Sequence, residues 1–327
     1  VYFLKEAVFN LEQKNTKKQR KIIFQNLWYD LKHNKFLVLL CVPGILWFLL
    51  FAYLPMLGLI MAFQNFSAAK GIFGSEFVGL KNFEFFVGSK DFFTITYNTL
   101  FLNACFIAAT MITSIAIAIM LSELTNKYFV KVTQSMVILP HFISWTVVAL
   151  LSQAFLNTDK GLVNQIITSM GGSAINFNTD AGIWPGLLTL MKVWQGAGYG
   201  SIVYLAAITG IDQEMYEAAR VDGATRVQCI RFLTLPLLKT TVILLFIMSV
   251  GKIFYGDFGM IYAIIGNNTV LYSKTDVIDT YVYRMLMESQ NIGMSSAVGL
   301  YQSVMGFLMV LFTNKITKKV SPESAIF

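Results

Sequence analysis

The chain has 327 residues, a formal charge of +7, 56% apolar residues and 13% charged ones. Its mean hydropathy is +0.61. A soluble domain carries about 25% charged residues, so this composition places the chain among membrane proteins and argues against a soluble enzyme. The basic excess then reads as positive charge gathered on cytoplasmic loops rather than as a nucleic-acid surface.

In chain order, the first segment is basic. Residues 1–35 hold eight Lys and Arg together with Ile22, Ile23, Phe24, Leu27 and Trp28. That mixture suits an amphipathic cytoplasmic segment on an anionic leaflet. Contact with a partner is the sharper alternative. The apolar run that follows is too long for a signal peptide's h-region, so no cleavable signal is expected. The fold expected is all-α and polytopic. Runs of about 20 apolar residues can cross a bilayer as helices. Six candidates are expected at 36–63, 94–121, 130–156, 183–209, 239–265 and 295–314. They form one membrane domain over 36–318, followed by a short tail at 319–327.

Loops on one side carry 15 Lys and Arg against 6 on the other. That bias puts both termini, the tail and residues 210–238 in the cytoplasm. Outside, 77–93 is too broken to span, and its aromatic residues suit the lipid–water interface. Residues 157–182 read as a short amphipathic helix between flexible ends. Three scattered cysteines and two distant histidines suggest neither a disulfide framework nor a metal site.

Polar residues within spans are functional candidates by default. In span four, Lys192, Gln195 and Tyr199 share one helix face, with Trp194 beside them. In span five, Lys252, Tyr255 and Asp257 interrupt an apolar run, next to Phe258. Gly251, Gly256 and Gly259 permit an irregular backbone there. The aromatic side chains offer faces for sugar rings, and Lys192, Gln195, Lys252 and Asp257 offer polar groups for hydroxyls. The alternative is that the charges pair with each other or with a second membrane subunit. Asn103 and Gln153 fit interhelical hydrogen bonding better than ligand contact.

The cytoplasmic segment EAARVDGATRVQCIRFLTLP (217–236) is rich in helix formers. Asp222 and Arg226 are spaced as an i, i+4 pair. Gly223 allows a bend between two short helices, and Pro236 fits the first turn of the next span. A helix–bend–helix elbow along the membrane is expected, against the plainer reading of an ordinary loop. No GxxxxGK[ST] loop is present, so energy must come from another subunit or an ion gradient.

The spacing of Glu217, Ala218, Ala219, Gly223, Leu233 and Pro236 resembles the EAA loop of the membrane subunits of binding-protein-dependent ABC importers. Leu233 stands where that family usually has isoleucine. VGLKNFEFF, ILPHFISWTVVALL, KVWQGAGYG, SVGKIFYGDFGMIYAI and TDVIDTYVYRMLM resemble the oligosaccharide branch, of the lipoprotein-associated and alginate-uptake kind. The resemblance runs over about residues 94–318. It implies a type I importer transmembrane fold in a bacterial plasma membrane, and no covalent chemistry on this chain. It implies a heterodimer with a homologous permease, two cytoplasmic P-loop ATPases that hold ATP and Mg, an extracellular solute-binding protein and an oligosaccharide substrate. The 211–237 loop would then be the coupling helix, with Glu217, Ala218, Ala219 and Gly223 as contact and hinge positions. The rivals are an ion-driven secondary transporter, a membrane enzyme acting on lipid-linked sugars, and an ABC importer for a non-sugar solute.

Overall fold

A computed structural model describes residues 33–320. The expected basic segment, apart from its last residues, and all but the first two residues of the expected tail lie outside that range. The contacts divide the chain into two units at Ile60. The first unit is α1 (Lys35–Phe48), continued by a π turn at Leu49–Tyr53 and a 3₁₀ stretch that begins at Leu54. Pro43 lies inside α1 and Pro55 opens the 3₁₀ stretch, so the expected span is helical but not uniformly α.

The second unit begins with the end of that stretch and a two-residue antiparallel hairpin, β1 (Gln64–Asn65) with β2 (Glu76–Phe77). Next come α2 (Lys81–Val87), the 32-residue α3 (Asp91–Ser122) and α4 (Lys127–Ile138). Then follow α5 (Trp145–Leu156), α6 (Leu162–Ser169) and α7 (Trp184–Thr209). After α8 (Gln213–Val221), a continuous helical run, α9, spans Arg226–Val250. The unit closes with α10 (Phe258–Ile265), α11 (Ile278–Met287) and α12 (Ile292–Val320).

Long helices α3 and α7 pack along each other, and Ala118, Tyr204, Ile208 and Leu238 tie α9 to them. A larger core joins Leu102 and Phe106 of α3, Ala149 of α5, Leu188 of α7 and Met260, Ile261 and Ile264 of α10. A third gathers Phe86 of α2, Ile95, Phe254, Tyr281 of α11 and Val298 of α12.

Among the described residues, four helical runs are long and apolar enough to cross a membrane: Lys35–Phe63, Asp91–Ser122, Arg226–Val250 and Ile292–Lys319. The α4–α5 pair makes a fifth if it is one broken span. α7 has the length, 26 residues, but Lys192, Gln195 and its glycines lower its hydropathy.

Two expected spans are corrected. The 130–156 run is bent by 92° between Phe142 and Trp145. Pro140 draws the chain into a 3₁₀ turn at Leu139–Phe142, and Ser144, extended at ψ 150, caps α5 from Val147 N. The 239–265 run begins much earlier, at Arg226, and is interrupted over residues 251–257 before α10 starts.

Two loop expectations change as well. The ends of the 157–182 segment are held rather than free: Asn164 donates to Thr158 O and Ile175 O and accepts from Ile175 N–H. In the 77–93 segment Phe77, Phe85 and Phe93 are exposed, as an interfacial role needs, but Phe86 is buried at 1% exposure against Phe92, Tyr281 and Tyr301 and belongs to the core.

Candidate functional site

The break at 251–257 leaves backbone groups without helical partners, and three side chains from three helices satisfy them. Asn103 of α3 donates to Ile253 O at 2.9 Å and Tyr255 O at 3.1 Å. Gln302 of α12 donates to Phe254 O at 2.7 Å. Asp279 of α11 accepts from Gly256 N–H at 2.5 Å and from Gln302 Nε2 at 2.9 Å. Burial pushes the Asp279 carboxyl above the ordinary range, against the lowering effect of those two donors. Gly256 is required here. A Cβ would lie 2.8 Å from Val277 and 2.9 Å from Asp279 Oδ2.

This segment forms one wall of a cavity of about 610 Å³. α3 contributes Asn103, Phe106, Ile107, Thr110, Met111 and Ser114. α7 contributes Lys192, Gly200, Val203 and Tyr204, and α9 contributes Leu245 and Ser249. Lys252, Tyr255, Gly256, Asp257 and Phe258 complete the lining. The volume lies within the range of ligand pockets, about 300–1,000 Å³.

Of the eight sequence-predicted pathway residues, five line this cavity: Lys192, Lys252, Tyr255, Asp257 and Phe258. Lys192 Nζ pairs with Asp257 Oδ2 at 2.6 Å and lies 5.6 Å from the Trp145 ring centre. Asp257 Oδ1 accepts from Met260 N–H at 3.1 Å, capping α10. Tyr255 donates to Ser303 Oγ at 3.2 Å. Phe258 stacks on Tyr262 and meets Tyr283.

Trp194, Gln195 and Tyr199 lie outside the cavity lining. Trp194 is exposed. Gln195 donates to Ile143 O at 3.1 Å, so it braces the α4–α5 bend. Tyr199 stacks on His141 at 4.2 Å. The shared face of Lys192, Gln195 and Tyr199 therefore addresses three neighbours, one of which borders the cavity. Asn103 makes interhelical bonds, as expected; Gln153 is exposed and outside this cavity.

Sequence reasoning passed over Gln302, although a glutamine in an apolar run satisfies the same rule that singled out Lys192. Before α12 the fold also supplies partners for two acids: Asp279 is held by Gly256 N–H and Gln302 Nε2, and Asp276 by both guanidinium nitrogens of Arg284, at 2.8 and 2.5 Å.

A second feature is the 211–237 elbow. Asp212 caps α8 from Glu214 N–H. α8 ends in a Schellman arrangement, with Gly223 N–H on Arg220 O and Ala224 N–H on Ala219 O. Gly223 sits at φ +84, which suits glycine. Thr225 and Gln228 then form a capping box that starts α9. Asp222 and Arg226 are thus on different helices, and the expected i, i+4 pair does not form. Pro236 stands in the first turn of the α-helical stretch Leu235–Val250, as expected, but that stretch continues the α9 run from Arg226 through a π turn at Ile230–Thr234 in which Leu235 N–H bonds Ile230 O. That wider turn accommodates the proline ring and its missing donor. Tyr216 and Thr234 hydroxyls meet at 3.0 Å and lock α8 onto α9. Glu217, Ala218 and Pro236 are exposed. Ala219, Gly223 and Leu233 help line a shallow concavity of about 370 Å³.

Residues 114–322 match the family described as binding-protein-dependent transport system inner membrane component. The chain is 36% identical over 293 residues to protein LplB of Bacillus subtilis, covering 90% of this chain and 92% of that one. It is also 36% identical over 299 residues to the polygalacturonan/rhamnogalacturonan transport system permease protein YteP of the same organism, covering 91% and 92%. One solved structure is similar at a TM-score of 0.82 and 34% identity, over 90% of this chain and 98% of the other. It is a chain of a bacterial alginate ABC transporter in complex with an alginate pentasaccharide-bound periplasmic protein.

Proposed function

The chain belongs to the family of binding-protein-dependent transport system inner membrane components, and on that premise we propose that it forms half of the membrane pathway of an ATP-driven oligosaccharide importer. It is a permease subunit and not an enzyme. The observation that carries the reading is a connection. α8 of the elbow is joined to α7 at one end and α9 at the other, and both of those helices line the cavity. A force applied to the elbow is therefore delivered to two cavity walls at once, as alternating access between packed states requires.

In this reading the 211–237 elbow is the coupling helix on the cytoplasmic side, and both termini share that side. Glu217, Ala218, Ala219, Gly223, Leu233 and Pro236 form or border its docking surface. The exposed apolar side chains of Val221, Val227 and Phe232 support a protein partner there. Two P-loop ATPases supply ATP and Mg, and a second homologous permease completes the pathway. An extracellular solute-binding protein delivers the sugar, as a periplasmic protein does for the alginate transporter. Residues 36–318 form the permease domain, preceded by the basic segment 1–35 and followed by the cytoplasmic tail 319–327. The carboxylate on which a proton relay would depend, Asp257, is engaged by Lys192, which disfavours an ion-driven carrier.

The test is purification of this chain in mild detergent with mass spectrometry of what accompanies it. Recovery of a P-loop ATPase and a second permease is the expected result. Recovery of the chain alone, with uptake that collapses when the ion gradient is dissipated, would overturn the reading.

A further inference from the structure

Three charged side chains line the cavity: Lys192, Lys252 and Asp257. Their charges do not cancel. Asp257 is committed twice, to Lys192 through one oxygen and to the α10 N-terminus through the other. Asp279, the other carboxylate at the break, is outside the lining and is held by Gly256 N–H and Gln302. Lys252 is thus a cavity cation with no carboxylate partner among the described residues.

Its placement is fixed from behind. The three residues that follow it are gripped at Ile253 O by Asn103, at Phe254 O by Gln302 and at Tyr255 O again by Asn103. Asn103 and Gln302 are buried. The backbone that carries Lys252 is therefore pinned on its core side, while the exposed Lys252 side chain lines the chamber together with apolar residues of α3 and α9 and the hydroxyls of Thr110, Ser114 and Ser249. A ligand that fills this chamber displaces the water around the ammonium and must replace it. A carboxylate does so with a charge-assisted bond, which a neutral hydroxyl matches only in part.

We propose that Lys252 is a specificity-determining residue that selects oligosaccharides bearing a carboxylate, with Lys192–Asp257 acting as a neutral, already satisfied wall. The proposal rests on the importer reading given above. A carboxylate facing Lys252 has two sources, the sugar itself or a side chain of the second permease, and the proposal commits to the sugar.

The test uses the importer complex purified with its partner subunits in nanodiscs. Four probes are titrated: galacturonate and mannuronate trimers, and the carboxyl-reduced form of each. A charge-assisted bond corresponds to roughly 10- to 100-fold in affinity. An acidic trimer is expected to bind more tightly than its reduced form by about that factor. Lys252→Gln is expected to abolish the difference, and Lys252→Arg to keep most of it. Lys252→Met serves as a second neutral variant, and each variant is compared at equal recovery of folded complex. If a trimer and its reduced form bind alike, and Lys252→Gln changes neither, the cation is neutralised by protein; the proposal then fails while the oligosaccharide reading stands. A preference for the acidic trimer that survives Lys252→Gln also overturns the assignment. Binding of none of the four probes would bring down the oligosaccharide reading and this proposal together.

Discussion

Asp257 holds two structures with two oxygens, and the two can be separated by substitution. Oδ2 pairs with Lys192 at 2.6 Å and Oδ1 accepts from Met260 N–H at 3.1 Å. The paired side chains are 30% and 22% exposed, between a surface pair and a buried one. Such a charge-assisted contact stabilises by about 1.5–3 kcal/mol, above the surface median and below the penalty for breaking a fully buried pair. An N-cap side chain contributes about 1 kcal/mol. Asp257→Asn keeps the capping oxygen and loses the charge, so it should cost about 1.5–3 kcal/mol. Asp257→Ala loses both and should cost about 1 kcal/mol more. Lys192→Met should resemble Asp257→Asn. The double variant Lys192→Met/Asp257→Asn should cost less than the sum of the two, by a coupling of about 1.5–3 kcal/mol. The assay is reversible unfolding in mixed micelles, with all four variants measured at one detergent composition. Equal stabilities for the Asn and Ala variants would refute the capping argument. A coupling below about 0.5 kcal/mol would refute the ion pair as a stabilising contact.

Two further outcomes follow from backbone geometry. A Cβ at Gly198 would lie 1.9 Å from Val137 O, whereas one at Gly196 has only Thr110 Cγ2, at 3.8 Å. Gly198→Ala should therefore destabilise by about 1–3 kcal/mol in the same assay and Gly196→Ala by less than about 0.5 kcal/mol; equal behaviour would contradict the close approach of α4 to α7. Gly223→Pro removes the donor to Arg220 O and forbids φ +84, and Glu217→Lys reverses an exposed charge on α8. Both should abolish sugar uptake while leaving the chain in the membrane at normal abundance, and normal transport by both would remove the elbow from the coupling pathway.

Much of the helical framework can be read from the sequence, because a membrane helix satisfies its own backbone and announces itself by apolar length alone. The elbow is legible for a similar reason. Gly223 is where a left-handed residue ends a helix, and helix formers flank it on both sides. The rule that polar residues inside spans matter located Lys192, Lys252, Tyr255 and Asp257 of the cavity's lining. It could not say what each one faces. Lys192 and Gln195 lie three apart on α7, yet one reaches Asp257, 65 residues away in sequence, and the other a backbone carbonyl at the α4–α5 bend.

What the sequence by itself determined is therefore the class of environment, the helical runs and the chemical character of each polar interruption. These depend on local composition and spacing. The tertiary structure alone decided where α4 turns away from α5, how α9 passes through Pro236, and which side chains hold the 251–257 break open. Backbone groups freed at a break must be satisfied by whatever lies beside them, and Asn103, Asp279 and Gln302 come from three separate helices. No pattern within residues 251–257 encodes those partners. The same packing commits Asp257 to Lys192 and leaves Lys252 facing the cavity.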